Sequence, residues 1–414
     1  MFGRNLDLCA KCKGVRRLCG RPRCPILERL EALQNISKIT SSRSFFGSTP
    51  PSILVGEANY PLVRVGANVP PEVGVKARLY DAPEEWWGRK GLEDIIKLRA
   101  SMVYSSSRLN VRVAPRSGRD NVLESLRLAA LSELPVDTEV LFRKPPRVSI
   151  RFDSVLSPVG PSGEVEKLEV VSNPVVPRRV DDIVSDFDVD SRTAAEELYF
   201  HGVSYYHIVR LLSLGMLGAR FRRRIVPTRW AITATDKILG DRLLERVRDY
   251  REISEYEVYM SEYVGNRYFL LFAPGAWSFE MIEAWLPRSV WVKSAKPVVI
   301  ENYELHDGRA RKPGVDGGYY AIRFPVLEFL HRRRRQATVV AVRVITPDYY
   351  APIGSWQIRE SIRNAFKEKP VKFDELRKAW EHIAAKLGQL REDVEKEARL
   401  LRSLFSQRSL RQFL

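Results

Sequence analysis

Four cysteines fall within sixteen residues, as Cys9-x2-Cys12-x6-Cys19-x4-Cys24, and the 390 residues after Cys24 contain none. Two thiolates three positions apart can grip one ion with little backbone strain. A second pair returning after a short loop completes a closed, tetrahedral, structural site for Zn2+. An iron–sulfur cluster takes the same four ligands and is the second reading; four unliganded thiols are the third. The segment has so little apolar content that a bound metal would supply much of its folding energy. Lys13, Arg16, Arg17, Arg21 and Arg23 surround the cysteines, favour thiolates and could touch phosphate.

A second group mixes charge with an aromatic: Arg222, Arg223, Arg224 and Arg229 beside Trp230. Guanidinium groups suit phosphates and an indole suits a base, so this pattern fits nucleic-acid contact. The alternative is a basic surface patch next to a core tryptophan. Arg332 to Arg335, next to His331, form another basic run, or simply the positive end of a helix. Gly317-Gly318-Tyr319-Tyr320-Ala-Ile-Arg323 could offer backbone N–H groups and a guanidinium to a phosphate, or be a tight helix entry. Asp181, Asp182, Asp186, Asp188 and Asp190 have the density of a Mg2+ site but lack the turn glycine of a calcium loop, so a helix-leading acidic linker is preferred. Glu280 and Glu283 are three apart on an expected helix, flanked by Trp277 and Trp285, as a metal pair would be; exposed carboxylates are the other reading. Asp236 follows Thr233 and Thr235 and reads as a helix N-cap. Arg229, Asp236, Tyr319 and Arg323 are the catalytic candidates if the chain is an enzyme.

Several chemistries are absent from the sequence. There is no GxxxxGK[ST] loop and no GxGxxG fingerprint after a strand. No G-x-S-x-G elbow occurs. No cysteine nucleophile exists beyond Cys24, and His201, His207, His306, His331 and His382 make no metal-spaced pair.

The last eight residues read Gln407-Arg-Ser-Leu410-Arg-Gln-Phe413-Leu414. The pattern Q-x-x-L-x-x-F-L resembles the peptide by which replication and repair proteins bind the sliding clamp, proliferating cell nuclear antigen. One helical turn would gather Leu410, Phe413 and Leu414 into a plug, with Gln407 in a small polar pocket. Such motifs prefer two aromatics at the end; here the last residue is Leu414. A frayed apolar helix end is the alternative.

The elements that must position these groups follow from periodicity. Ile26, Leu27, Leu30, Leu33 and Ile36 predict a short amphipathic helix after the cysteines. Residues 39–52 read as a linker. Strands are expected at 53–56, 61–66, 138–142, 147–152, 165–171 and 338–345. Residues 255–273 predict a strand pair turning at Gly265-Asn266. Helices are expected from Asp81, as N-cap, through Leu98, at 121–133, 191–214 and 236–249, and from Gly317 to about 335. A long terminal helix over 373–405 carries Leu376, Trp380, Ile383, Leu387, Leu390 and Val394 on one stripe.

The chain has 414 residues, with Lys plus Arg 68 against Asp plus Glu 51, a net charge of +17. Arginine supplies 50 of the 68 cations, which favours bidentate phosphate and carboxylate contacts over point charges. A hydrophobic share of 44% excludes a disordered tail protein. No run reaches the ~18 apolar residues of a membrane span. No signal-peptide core precedes the cysteines, and clustered cysteines do not describe a secreted disulfide protein. The expectation is a soluble, cytoplasmic protein of mixed α/β (α+β) class with several domains. These are a four-cysteine module with its helix (1–37), a mixed α/β domain (38–300), a second domain ending in the long helix (301–406) and the tail (407–414).

Together the stretches CAKCKG (9–14), CGRPRCPI (19–26), STPPSILVGEANYPLVRVG (48–66), YDAPEEWWG (80–88), LPVDTEVLFRKPP (134–146) and RRRIVPTRWAITATDKI (222–238) resemble the archaeal Nre family of DNA repair proteins. So do GNRYFLLFAPGAWSFEMIEAWLP (265–287), DGGYYAIRFPVLEFL (316–330), RRQATVVAVRVI (334–345) and PIGSWQIRESIR (352–363). The resemblance implies an N-terminal zinc-finger region, two family domains and a clamp-binding tail serving DNA repair. It carries over no catalytic residue. Three functions are therefore weighed: a repair factor that docks on the clamp and touches DNA through its basic surface, a nucleic-acid- or nucleotide-processing enzyme recruited by the same tail, and a non-catalytic repair scaffold.

Overall fold

The computed structural model describes residues 41–113, 120–147, 160–289, 296–311 and 317–406, together with Cys12, Cys24, Leu27 and Val292. The chain divides into two compact units, residues 25–239 and residues 240–414 together with 1–24. The class is mixed α/β, as expected. Among the described residues no helix is long and apolar enough to cross a membrane.

In the first unit, β1 (Ser44–Thr49), β2 (Ile53–Val55), β3 (Leu62–Val69), β4 (Val103–Asn110), β5 (Val136–Phe142) and β6 (Ser162–Val170) form one sheet. Its order is β1-β5-β6-β4-β3-β2. Only β4 and β6 run parallel; the other pairings are antiparallel. Strand β3 shows why these residues pair. Val63, Val65, Ala67 and Val69 are fully buried on one face, while Leu62 and Arg64 remain exposed on the other, which is the period of two.

Helices α1 (Pro83–Trp86), α2 (Leu92–Ala100), α3 (Asn121–Leu131), α4 (Arg178–Ser185), α5 (Ser191–Phe200) and α6 (Tyr205–Ser213) belong to the same unit. The expected helix from Asp81 to Leu98 is two, α1 and α2. Asp81 is not its N-cap: it ends a 3-10 turn and accepts from Arg99 at 3.0 Å. The expected helix over 191–214 is also two, α5 and α6. Gly202, at φ 83, separates them in a left-handed conformation no helix continues through.

Helix α7 (Thr228–Val247) carries the chain from the first unit into the second. There β8 (Tyr256–Tyr263), β9 (Asn266–Ala273), β10 (Ser278–Trp285), β11 (Val298–Glu304), β13 (Thr338–Ile345) and β14 (Val371–Phe373) build a six-stranded sheet in the order β11-β10-β13-β9-β8-β14. Two short strands, β7 (Arg251–Glu252) and β12 (Arg335–Gln336), pair in parallel beside it. The hairpin β8–β9 turns at Val264-Gly265, one residue before the expected pair. Both residues have positive φ, 43 and 75, as a two-residue type I′ turn requires. Glycine is needed for a second reason: a Cβ there would lie 2.4 Å from the Tyr349 backbone nitrogen.

Strand β13 is buried along its whole length, as a strand covered on both faces must be. On one face, Val340, Val342 and Val344 join Leu271, Ile282, Trp380, Ile383, Leu387 and Val394 in one core. These last four come from the long C-terminal helical span, which runs as α10 (Leu376–Leu387), α11 (Arg391–Glu397) and α12 (Arg399–Ser406). Gly388 at φ 56 makes the first bend and Ala398, with ψ 101, the second. Helices α8 (Gly317–Arg333) and α9 (Trp356–Ala365) pack on each other and on the sheet.

Candidate functional site

Of the basic and aromatic residues expected to touch nucleic acid, Arg229 and Trp230 are held together at one end of the first sheet. The Val55 amide donates to Thr228 Oγ1 at 2.8 Å, tying the start of α7 to the β2–β3 hairpin. Arg229 and Trp230 follow in the first turn of α7. Both are held by Glu57 in that hairpin: Arg229 Nη1 donates to Oε1 at 3.2 Å and the indole Nε1 to Oε2 at 3.1 Å. The ring of Tyr60 lies 5.2 Å from that of Trp230, tilted by 41°. Trp230 is not a core residue; it is 45% exposed, and Tyr60 52%.

The three preceding arginines part company. Arg222 is exposed. Arg223 turns inward, donating to the carbonyls of Gly218, Val184 and Asp186 at 2.7–2.9 Å and lying 4.6 Å over the Phe187 ring. Arg224 is exposed but spends Nη1 on the carbonyls of Phe221 and Arg223. Glu57 and Tyr60 were not singled out from the sequence. The signal was a lone carboxylate and an aromatic inside the Gly-Pro-bounded segment between two short strands.

The other catalytic candidates are Asp236, further along the same helix, and Tyr319 and Arg323 in the second unit. Asp236 is buried mid-way along α7, so it is not the helix N-cap expected. Tyr319 and Arg323 are brought together in the second unit on a residue the sequence did not flag, Glu304. That carboxylate accepts from Trp277 Nε1 at 2.7 Å, Tyr319 Oη at 2.9 Å and Arg323 Nε at 2.8 Å. Arg323 Nη1 reaches Asp241 at 3.1 Å. Burial alone would lower the Arg323 pKa; Glu304 and Asp241 outweigh it and hold the guanidinium above its usual value. Burial and Glu304 likewise push the Tyr319 phenol far up, so it stays protonated. Gly317 and Gly318 are the first residues of α8 rather than a loop before it. At the far end of α8, Arg333 makes a two-pronged pair with Glu257, at 2.5 and 2.9 Å. His331, Arg332 and Arg333 occupy its last turn, where positive charge is favoured by the dipole.

Glu280 and Glu283 are on strand β10, not on a helix. Three residues apart on a strand, they point to opposite faces. Glu283 pairs with Arg343 at 2.6 Å, deep in the sheet. Glu280 accepts from the backbone amides of Arg399, Leu400 and Leu401 at 2.6–3.2 Å. Among the aspartates of 181–190, Asp190 caps α5 through Arg192 and Thr193, and Asp186 accepts from the amides of Asp188 and Val189. A helix-leading linker forms only over 186–190; Asp181 and Asp182 lie inside α4. Among the described residues no group of three or more His, Cys, Asp or Glu side chains is placed to hold a metal ion. His207 is buried, and burial with Arg210 nearby pushes its imidazole down to about 3, so it stays neutral.

Of the four cysteines, Cys12 is buried and Cys24 half-buried; Cys9 and Cys19 lie outside the described residues. So do Gln407, Leu410, Phe413 and Leu414.

Two family models match the chain, the archaeal Nre N-terminal model over residues 18–292 and the archaeal Nre C-terminal model over 304–413. The DNA repair protein NreB of Archaeoglobus fulgidus is 36% identical over 371 residues, 90% of this chain and 91% of the relative. The DNA repair protein NreA of the same organism is 36% identical over 88% of this chain and 90% of its own length. NreA of Haloferax volcanii, also a DNA repair protein, is 33% identical over 94% and 95%. No solved structure matches. Both halves of the chain, and relatives aligned along nine-tenths of it, agree: the chain belongs to the archaeal Nre family.

Proposed function

We propose that this chain is a DNA repair factor that docks on the sliding clamp through residues 407–414 and contacts DNA through its arginine-rich surface. The observation that carries the repair reading is the alignment, over about nine-tenths of the chain, with relatives named as DNA repair proteins. The tail Gln407-x2-Leu410-x2-Phe413-Leu414 supports clamp docking, because three apolar side chains on one helical turn make a compact anchor. An excess of 17 cationic charges, mostly arginine, supports phosphate contact.

Deleting residues 407–414 should abolish clamp binding in a pull-down or calorimetric titration and leave the melting temperature unchanged. Phe413→Ala should weaken it by at least about tenfold, the effect of removing one buried aromatic anchor. Unchanged clamp affinity in both variants refutes the tail assignment. DNA contact predicts an affinity that falls steeply with salt; a flat salt titration refutes it.

Four cysteine thiolates are a donor set that suits tetrahedral Zn2+, which would fix the N-terminal segment as a structural ion. Elemental analysis should then find about one zinc per chain, lost in Cys12→Ser together with the fold of residues 1 to about 30. Iron in place of zinc would assign the cluster instead.

A further inference from the structure

The end of the first sheet carries more unpaired positive charge and more exposed aromatic surface than the residues around it require. Arg64 on β3 and Arg108 on β4 sit directly opposite each other across the antiparallel pair. Like charges in that relation repel and weaken a sheet. Both are exposed, and among the described residues neither has an ion-pair partner. Across segments 53–69, 103–113 and 220–235 the sequence holds eight arginines, seven of them exposed and Arg223 buried, and one carboxylate, Glu57. Backbone hydrogen bonds bring the three segments together: the Val111 amide donates to the Pro61 carbonyl, and the Ile225 amide to the Val111 carbonyl, at 3.0 and 2.9 Å.

The same end displays aromatic faces. Tyr60 and Trp230 lie ring beside ring, with Leu62, 46% exposed, two residues on from Tyr60. Glu57 spends its charge on Arg229 and the indole N–H. It therefore fixes the orientation of the Trp230 ring while cancelling only one of the seven exposed arginines. A fixed, half-exposed indole held against the β2–β3 hairpin, on whose second strand Arg64 faces Arg108, is arranged for a flat, apolar group attached to an anionic backbone. Duplex DNA presents phosphates to such a surface but keeps its base faces stacked away; a single strand presents both.

We propose that this surface binds single-stranded DNA, with a base on Tyr60 and Trp230 and adjacent phosphates on Arg64 and Arg108. The assignment rests on the reading of the chain as a DNA-contacting repair factor, and it names both the strand state and the residues. An acidic protein segment could neutralise the arginines, but it would need an aromatic side chain spaced to meet the indole, whereas every nucleotide of a single strand carries both a phosphate and a flat base.

The test is fluorescence anisotropy on the full chain, with one labelled deoxyoligonucleotide used single-stranded and annealed to its complement. Wild type should bind the single strand more tightly. Trp230→Ala should weaken single-strand binding between about fivefold and about a hundredfold, with less than a twofold effect on the duplex. Trp230→Phe, which keeps a ring face, should restore most of the loss. Arg64→Ala with Arg108→Ala should lower the single-strand salt slope by about 1.4, the share of two phosphate contacts. These residues are exposed, so circular dichroism should show folded variants. A single strand bound equally by wild type, Trp230→Ala and Tyr60→Ala overturns the stacking site yet leaves DNA contact standing. Tighter binding of the duplex overturns it in the same way, as does tighter binding of the corresponding ribo-oligonucleotide, which would assign the surface to RNA. Failure of wild type to bind any DNA at low salt removes the DNA-contact reading itself.

Discussion

Glu304→Ala should destabilise the second unit by about 3–5 kcal/mol, the range for removing one member of a buried ion pair. Its unfolding transition should fall by about 10 °C for a unit of this size. Three donors lose their acceptor at once: Trp277 Nε1, Tyr319 Oη and Arg323 Nε. Among the described residues Arg323, 1% exposed, keeps only Asp241. A guanidinium left so poorly paired in a dry interior carries an uncompensated desolvation penalty, whereas removing both charges together need not. Glu304→Leu with Arg323→Met should therefore cost far less than the two single changes added, and the double-mutant cycle should report a coupling of about 2–3 kcal/mol. Thermal or urea unfolding of the four proteins measures it. Additive losses would mean that the two side chains do not hold each other. The experiment also separates structure from catalysis at Tyr319 and Arg323. If they serve the fold through Glu304, loss of function in their variants will track loss of stability.

How much of this was readable in advance depends on what a residue answers to. Strand β13 was legible to the residue, at 338–345, because a continuous apolar run needs no knowledge of its neighbours. The β8–β9 hairpin was legible from alternation and one glycine. Glu280 and Glu283 were misread because a spacing of three is a helix signature only when the local backbone is helical. Here each carboxylate answers to a distant group, Arg343 for Glu283 and the first amides of α12 for Glu280. The same holds for Arg323. An arginine in the apolar run Tyr-Tyr-Ala-Ile-Arg-Phe must find a buried acid, yet nothing in the run says that the acid is Glu304. Around Trp230 the residue types name an arginine and an aromatic that the fold does hold together at the surface, Arg229 and Trp230 on Glu57. The register that sets Arg64 against Arg108, and the hairpin that brings Glu57 and Tyr60 to Trp230, exist only once β2, β3 and β4 have paired.

The Glu280 carboxyl predicts a pH dependence of the second unit with a definite sign. Helix α12 begins after Ala398 with no side chain of its own to satisfy its first amides. Glu280, on β10, accepts from the amides of Arg399, Leu400 and Leu401 instead, doing from 119 residues away what a local N-cap does. Burial pushes this carboxyl from 4.5 up to about 7; the three amides pull it down and Glu301 adds to the rise. A folded pKa above the unfolded one means that the folded state holds the proton more tightly. Stability from this group is thus fully present below about 4.5 and is lost as pH rises through about 7. The span corresponds to about 3 kcal/mol. Urea midpoints of the second unit should therefore fall between pH 5 and pH 8. Glu280→Gln, which stays neutral and still offers an oxygen to the amides, should flatten that fall; the difference between the two profiles isolates Glu280 from every other titrating group. Parallel profiles would show that Glu280 does not titrate in this window. Glu280→Ala should do something else at every pH: with three amides unsatisfied, α12 should detach from the sheet, and limited proteolysis should cut near Ala398 before the remainder of the unit unfolds.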